Sequence, residues 1–187
     1  MRMAPDVKAW TVEDLAAMPD DGQRYEVIDG ELFVTPSPSL RHQRAIARLH
    51  LLLAAYVESH AIGELVMAPA DITFSPRRGV QPDLFVAPLV NGKRPKELAE
   101  IRDLVLAVEV LSPSSARADR VVKRAMYRDQ GVAEYWVVDL DARTFEVSTP
   151  EAKGVDVLGD SLEWRPRNAP APLIIDLKRY FRDVLDD

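Results

Sequence analysis

Cysteine is absent from the chain. That excludes disulfides and thiolate metal sites, and it suits a reducing cytoplasm, the compartment expected here. Long hydrophobic runs are missing too. The longest, LLLAAYV at 51–57, is far too short to span a bilayer, so no membrane partner is expected. The opening MRMAPDVKAW has no apolar h-region, and no secretory signal is expected from it. A basic surplus is also lacking. The formal net charge is −6, which weighs against a nonspecific nucleic-acid binder unless local clusters override the total. Internal repeats, low-complexity tracts and interdomain linkers are not found. What remains is an ordinary globular composition, 187 residues with 47% apolar and 29% charged. Its simplest reading is one domain over 1–187 with a real core.

Local patterns alternate between strand and helix. TVEDLAAM (11–18) predicts a short helix with Thr11 as N-cap and Asp14 in the N3 place. RYEVIDGELFVTP (24–36) holds two β-rich runs around Asp29-Gly30. This is a strong hairpin signal, because a type I′ turn needs positive φ at both positions. The longest helical pattern lies at 38–60, with Ile46, Leu49, Leu53, Tyr56 and Val57 on one face. Arg41, Arg44 and Arg48 form a basic stripe beside that face, whereas His42 continues the apolar face toward the helix start.

Strands are expected at 64–69, 71–76 and 81–88, separated or ended by proline or glycine. The stretch 91–100 reads as a surface loop with one helical turn. DLVLAVEVLS (103–112) is nearly continuous apolar sequence, the mark of a central strand buried on both faces. A helix over 114–131, capped by Ser114 or Ser115 and stopped by Gly131, leads to a strand at 133–140. That order predicts a right-handed crossover within one sheet. Edge strands are expected at 143–149 and 155–159, and a helix at 172–187 with Leu177, Phe181 and Leu185 on one face. The fold class is therefore α/β: an N-terminal β-hairpin and a mixed central sheet, with helix 38–60 on one side and helix 115–129 on the other.

Two of the least water-friendly strands each carry one acid, Asp83 in QPDLFVAP and Glu109 in DLVLAVEVLS. A lone buried carboxylate is very costly, and two side by side repel and force one pKa upward. A divalent cation removes the conflict. Mg²⁺ prefers oxygen ligands, keeps several waters and usually takes one or two protein carboxylates. On the following helix, spacing at about 100° per residue points Arg120, Lys123 and Tyr127 the same way. Lys123 can then reach back over the sheet toward Glu109, where an ammonium would orient a water and offset charge on a phosphate.

The blocks YEVIDGELF, PSLRHQ, QPDLFV, LAVEVLSPSS and DRVVKRAMYRDQGVAEYWVVD, in that order, resemble the Uma-two family, labelled putative restriction endonucleases, within the PD-(D/E)XK nuclease superfamily. The resemblance runs from about Tyr25 to Asp139, and the closing helix also fits. EVLSPSS and GVAEYWVVD together carry it; the dipeptide PD alone does not. It implies a restriction-endonuclease-like fold and hydrolysis of DNA. Asp83 would be the acid of the PD motif and Glu109 that of the (D/E)XK motif. Both would bind Mg²⁺, with Mn²⁺ as a possible substitute and the Val110 carbonyl as a candidate further ligand. The ordinary lysine place, two after Glu109, is Leu111 in this chain. The Uma-type lysine stands on the next helix, where Lys123 matches it. Glu31 is similar to an extra acid found near the first helix of many such nucleases, and His42 matches the family's histidine after the hairpin.

Each of these residues also has a plainer reading. Asp83 can cap backbone amides, and Glu109 can pair with Arg120. Lys123 can form a surface ion pair with Asp119 four residues earlier, Glu31 can be an exposed hairpin acid, and His42 a hydrogen-bonded core histidine. Tyr127 and Trp136 read as packing. The arginine stripes at Arg41, Arg44 and Arg48 and at Arg117, Arg124 and Arg128 are solvated faces or phosphate contacts. The sum is an expected Mg²⁺-dependent endonuclease with a DNA substrate. Cutting both strands asks for two sites, hence a homodimer. The alternative is a nucleic-acid-binding or regulatory protein that keeps the fold without turnover.

Overall fold

The computed structural model describes residues 8–167 and 169–185. Most of the opening segment read for a secretory signal, and the last two positions of the closing helix, lie outside the described residues. α1 (Val12–Leu15) starts from Thr11, which closes a reciprocal capping box with Asp14. β1 (Arg24–Ile28) and β2 (Glu31–Thr35) form the expected hairpin. Asp29 and Gly30 take φ values of 52° and 86°, as a turn with two left-handed positions requires.

α2 (Leu40–Ser59) is capped by the Ser39 side chain and buries the face that its spacing marks, from His42 through Val57. It leads to β3 (Gly63–Met67), β4 (Ile72–Ser75), β5 (Arg78–Val80) and β6 (Leu84–Pro88). β5 is a strand that the sequence reading did not separate from its neighbours. β7 (Leu106–Val110) and β8 (Tyr135–Asp139) are joined through a helix, then β9 (Thr144–Ser148) and β10 (Asp156–Leu158) follow.

The joining helix is not uniform. Ala118–Lys123 is a π-helix and continues into α3 (Arg124–Asp129). The chain ends on β11 (Ser161–Trp164), β12 (Leu173–Asp176) and α4 (Leu177–Leu185). The helix expected from 172 thus begins only at Leu177. Residues 173–176 instead pair antiparallel with 161–164, Leu162 facing Ile175, because that pairing buries both side chains.

The central sheet has six strands in the order β10-β9-β8-β7-β6-β3. β7 and β8 run parallel and the other neighbours antiparallel, so the sheet is mixed. A second sheet, β2-β1-β5-β4, carries the hairpin. Side chains alternate across the central sheet. Leu84, Val86, Leu106, Val108, Val110, Trp136 and Val138 pack with α2 and α4. Phe85, Ala87, Ala107, Tyr135 and Val137 pack with Met126 and Tyr127 of α3 and with Ile28, Ile72 and Val80 of the second sheet. The two long helical patterns therefore take opposite faces, as expected. Among the described residues no helix is long and apolar enough to cross a membrane.

Candidate active site

β6 and β7 pair with Leu84 opposite Val108, and one step further along that register Asp83 stands opposite Glu109. Both acids are buried, yet both line an open cleft of about 280 Å³. Two serine- and proline-rich segments, 35–39 and 111–115, form its walls. The alternation that places Leu106, Val108 and Val110 against α2 and α4 turns Glu109 to the other face, where the joining helix lies.

That helix supplies the cation. Lys123 Nζ lies 2.9 Å from Glu109 Oε1, 2.8 Å from Glu26 Oε2 and 3.6 Å from Asp119 Oδ1. The Tyr127 hydroxyl donates to Glu109 Oε1 at 3.3 Å. Lys123 and Asp119 are buried, so their contact is no surface pair, and Lys123 sits closer to the two glutamates. Arg120, expected on the same side, instead pairs with Asp139 and Glu146 on β8 and β9, at 2.6 Å each. Arg120 and Lys123 both lie in the π segment, whose wider i→i+5 turn rotates less per residue than an α-helix and so sets residues three apart on more widely separated sides. Glu109 therefore takes Lys123 as its partner, and Arg120 is not that partner.

Asp83 is held from three sides. The Val110 amide donates to Oδ2 at 2.8 Å, His42 Nε2 lies 3.0 Å from the same oxygen, and Arg24 Nη2 donates to Oδ1 at 2.7 Å. The backbone-capping reading of Asp83 is thus true in part, and it coexists with a place in the cleft. Arg24 also comes within 3.9 Å of Glu109 Oε2. His42 belongs to the apolar face of α2, as its spacing indicates, and reaches the cleft from the first turn of the helix.

Glu31 is not brought to this cluster. In the hairpin Arg24 pairs with Thr35 at the cleft end, while Glu31 pairs with Ile28 beside the turn. Glu31 is exposed and lines no part of the cleft. Four residue steps along the strand separate the two ends, about 13 Å. The acid that this hairpin does contribute is Glu26, which is buried and accepts the Gln81 amide at 2.8 Å as well as Lys123. The signal that marks Glu109, an acid inside an apolar strand, is also present in YEVI around Glu26. Arg24 has no such signal, since an arginine at a strand start is unremarkable until its partners are known. The arginine stripe of α2 is largely engaged within the fold: Arg41 pairs with Asp141, Arg48 with Asp183, and Arg44 donates to the Val184 carbonyl.

Four carboxyl groups, Glu26, Asp83, Glu109 and Asp119, thus face two permanent cations, Arg24 and Lys123. The imbalance shifts the pKa values of the cluster. Burial would raise the Asp83 carboxyl, but the His42 hydrogen bond and the Arg24 charge outweigh it and hold the group down at about 2. Glu109 is pushed well above the usual glutamate range, first by burial and then by the charges of Asp83, Asp119 and Glu26, against the pull of Lys123. Burial also raises Asp119. Lys123 keeps its proton: burial works against its charge, but Glu109, Glu26 and Asp119 together lift it above the ordinary lysine range.

Among the described residues, no three His, Asp or Glu side chains form a ready-made metal cage. Mg²⁺ does not require one, because it keeps waters and takes one or two carboxylates. The residues present fit a divalent cation on two counts. The buried acids exceed the fixed cations, and the buried Asp119 Oδ1 accepts no hydrogen bond.

No curated protein matches the chain. A solved structure described as "Crystal structure of a putative nuclease belonging to DUF820 from Anabaena variabilis ATCC 29413" is similar, with 19% identity, 93% of this chain and 98% of that chain covered, and a TM-score of 0.74. At that identity the likeness speaks for a shared nuclease fold. The family described as "Uma2: Putative restriction endonuclease" matches residues 12–175. That span takes in the hairpin, the cleft walls and every member of the ionic cluster, and the chain belongs to the Uma2 family.

Proposed function

We propose that the protein is a Mg²⁺-dependent endonuclease that hydrolyses phosphodiester bonds of DNA, with Mn²⁺ able to substitute. The observation that carries this reading is the pair of buried carboxylates, Asp83 and Glu109, meeting on adjoining strands at one open cleft with more acids than fixed cations around them. The family's description supports the reaction class.

Asp83 and Glu109 would hold the metal. When bound, a divalent cation supplies a more acidic water and offsets charge that develops on a phosphate. Lys123 holds Glu109 by its Oε1 and keeps a positive charge on the lining of the cleft, where it counters a phosphate. Val110 and His42 fix the orientation of Asp83. The serine-rich walls, with Ser37, Ser39, Ser112, Ser114 and Ser115, offer hydroxyl donors to a phosphate backbone, contacts that position DNA without reading its bases. Cleavage of both strands would call for two sites, which a homodimer would supply, and the lack of cysteine fits a cytoplasmic setting.

A second reading, nucleic-acid binding without turnover, draws on the fact that Lys123 and Arg24 are both engaged by acids. Supercoiled plasmid incubated with Mg²⁺ or Mn²⁺ separates the two. Nicking is expected from the wild type, and Glu109→Ala is expected to fall below about one-hundredth of that rate. Metal-dependent binding with no nicking would favour the second reading. Light scattering of the free and DNA-bound protein tests the dimer.

A further inference from the structure

We propose that Arg24 is the internal counter-ion of the carboxylate pair, so that a divalent cation and the Arg24 guanidinium compete for Asp83 and Glu109. The inference rests on the metal reading given above and adds a residue that works against metal binding rather than for it.

The two carboxylates are divided in the same way. Asp83 Oδ2 is tied to the framework through the Val110 amide and His42, and Glu109 Oε1 through Lys123 and Tyr127. The other oxygens, Asp83 Oδ1 and Glu109 Oε2, lie 2.7 Å and 3.9 Å from the same guanidinium. The oxygens that the framework leaves over are thus those on which Arg24 rests. A divalent cation needs that same negative charge. A guanidinium does not lose its proton in a protein, so it can yield only by moving.

Its attachment allows that. Arg24 belongs to β1 of the second sheet, whereas the acids sit at β6 and β7 of the central sheet. Its further anchor is one hydrogen bond from Nη1 to the Gln81 carbonyl, at 3.0 Å. It lines the cleft with 16% of its side chain exposed, against 4% for Lys123. Lys123 is enclosed by three acids and has nowhere to go, while Arg24 can swing into the cleft.

Calorimetric titration of the full chain with Mn²⁺ tests this, comparing wild type with Arg24→Gln and using Asp83→Asn as the control that removes the site. Arg24→Gln is expected to bind Mn²⁺ roughly tenfold more tightly, since one positive charge leaves the immediate surroundings of the site. Its metal-free melting temperature should be lower than that of wild type and should rise further on Mn²⁺ addition. If Arg24→Gln does not fold, the wild type decides by arginine-selective nitrogen NMR. The Arg24 Nε signal, identified by its absence in Arg24→Lys, is expected to move as Mg²⁺ saturates the protein.

Equal or weaker Mn²⁺ binding by folded Arg24→Gln, or an Arg24 signal unmoved at saturating Mg²⁺, overturns the competition and leaves the metal reading standing. No Mn²⁺ binding by wild type and variant alike overturns both.

Discussion

The two faces of β7 make a natural experiment in what a buried surface can hold. Leu106, Val108 and Val110 turn to one face and meet α2, α4, Trp136 and Phe145 in a hydrophobic cluster. Ala107 and Glu109 turn to the other, and one residue from the sheet's lining lies a buried network of four acids and two cations. Both faces are equally dry at Glu109 and Val108, with 2% and 0% of each residue exposed. The apolar face is stabilised by burial and close packing at every position. The ionic face is a compromise. Its pairs offset desolvation only in part, and the raised Glu109 and Asp119 carboxyls record the remainder. So costly an arrangement beside an open cleft marks a candidate functional site, which is the basis of the proposed function.

Substitution of one central residue on each face should give losses of similar size with different character. Trp136→Ala empties a fully buried site and is expected to cost about 3–5 kcal/mol at any pH. Lys123→Met leaves Glu26, Glu109 and Asp119 facing one another and is expected to cost about 3–5 kcal/mol near neutral pH. Urea unfolding at two pH values distinguishes them. The Lys123→Met cost should shrink as the acids protonate toward pH 5, while the Trp136→Ala cost holds steady; equal pH dependence would remove the contrast between the faces.

The pH profile of the metal-free wild type follows from the same groups. Glu109 is raised in the folded state, so its contribution is fully present below the ordinary value of 4.5 and is lost as pH climbs through the folded value. Asp119 acts in the same direction. Asp83 acts in the opposite one. Its contribution is present above the ordinary value of 3.8 and lost as pH falls toward about 2, a shift on the order of 2 kcal/mol. Stability without metal should therefore peak on the acid side of neutrality. Glu109→Gln is expected to flatten the decline above that peak, so that its stability relative to wild type improves as pH rises from 5 to 7, and to abolish nicking. Melting curves across pH for both proteins check this, and an unchanged slope in Glu109→Gln would point to other groups.

The smallest effect belongs to the rim. Arg41 and Asp141 pair at 2.6 Å with 49% and 79% of their side chains exposed. Arg41→Ala should alter stability by less than about 1 kcal/mol. Because Arg41 lines the cleft, the same change is expected to weaken DNA binding and to reduce its salt dependence by roughly one phosphate contact. Fluorescence anisotropy at several salt concentrations reads that slope.

Much of this arrangement is legible in the chain itself. The alternation through β6, β7 and β8, the Asp29-Gly30 turn, the apolar face of α2 and the acids Asp83 and Glu109 inside apolar runs are all local patterns, set by periodicities of two and 3.6 residues and by the cost of burying charge. Other features escaped because they depend on partners distant in sequence. β5 and the β11-β12 pair are short strands whose ladders, not their composition, make them strands. Leu173–Asp176 carries a helix-like pattern that Ser161–Trp164 overrides by pairing with it. Glu31 drew attention through its position in a motif, whereas the hairpin register turned the choice to Glu26.

Local pattern dictates the alternating α/β layout and the presence of two carboxylates where water cannot easily follow, because both are consequences of side-chain period and hydration within a few residues. Tertiary structure alone decided the company those carboxylates keep. A π turn separated Lys123 from Arg120, a second sheet delivered Glu26 and Arg24, and the first turn of α2 brought His42. Charge interactions depend on distance through space, and the chain's order does not encode those distances.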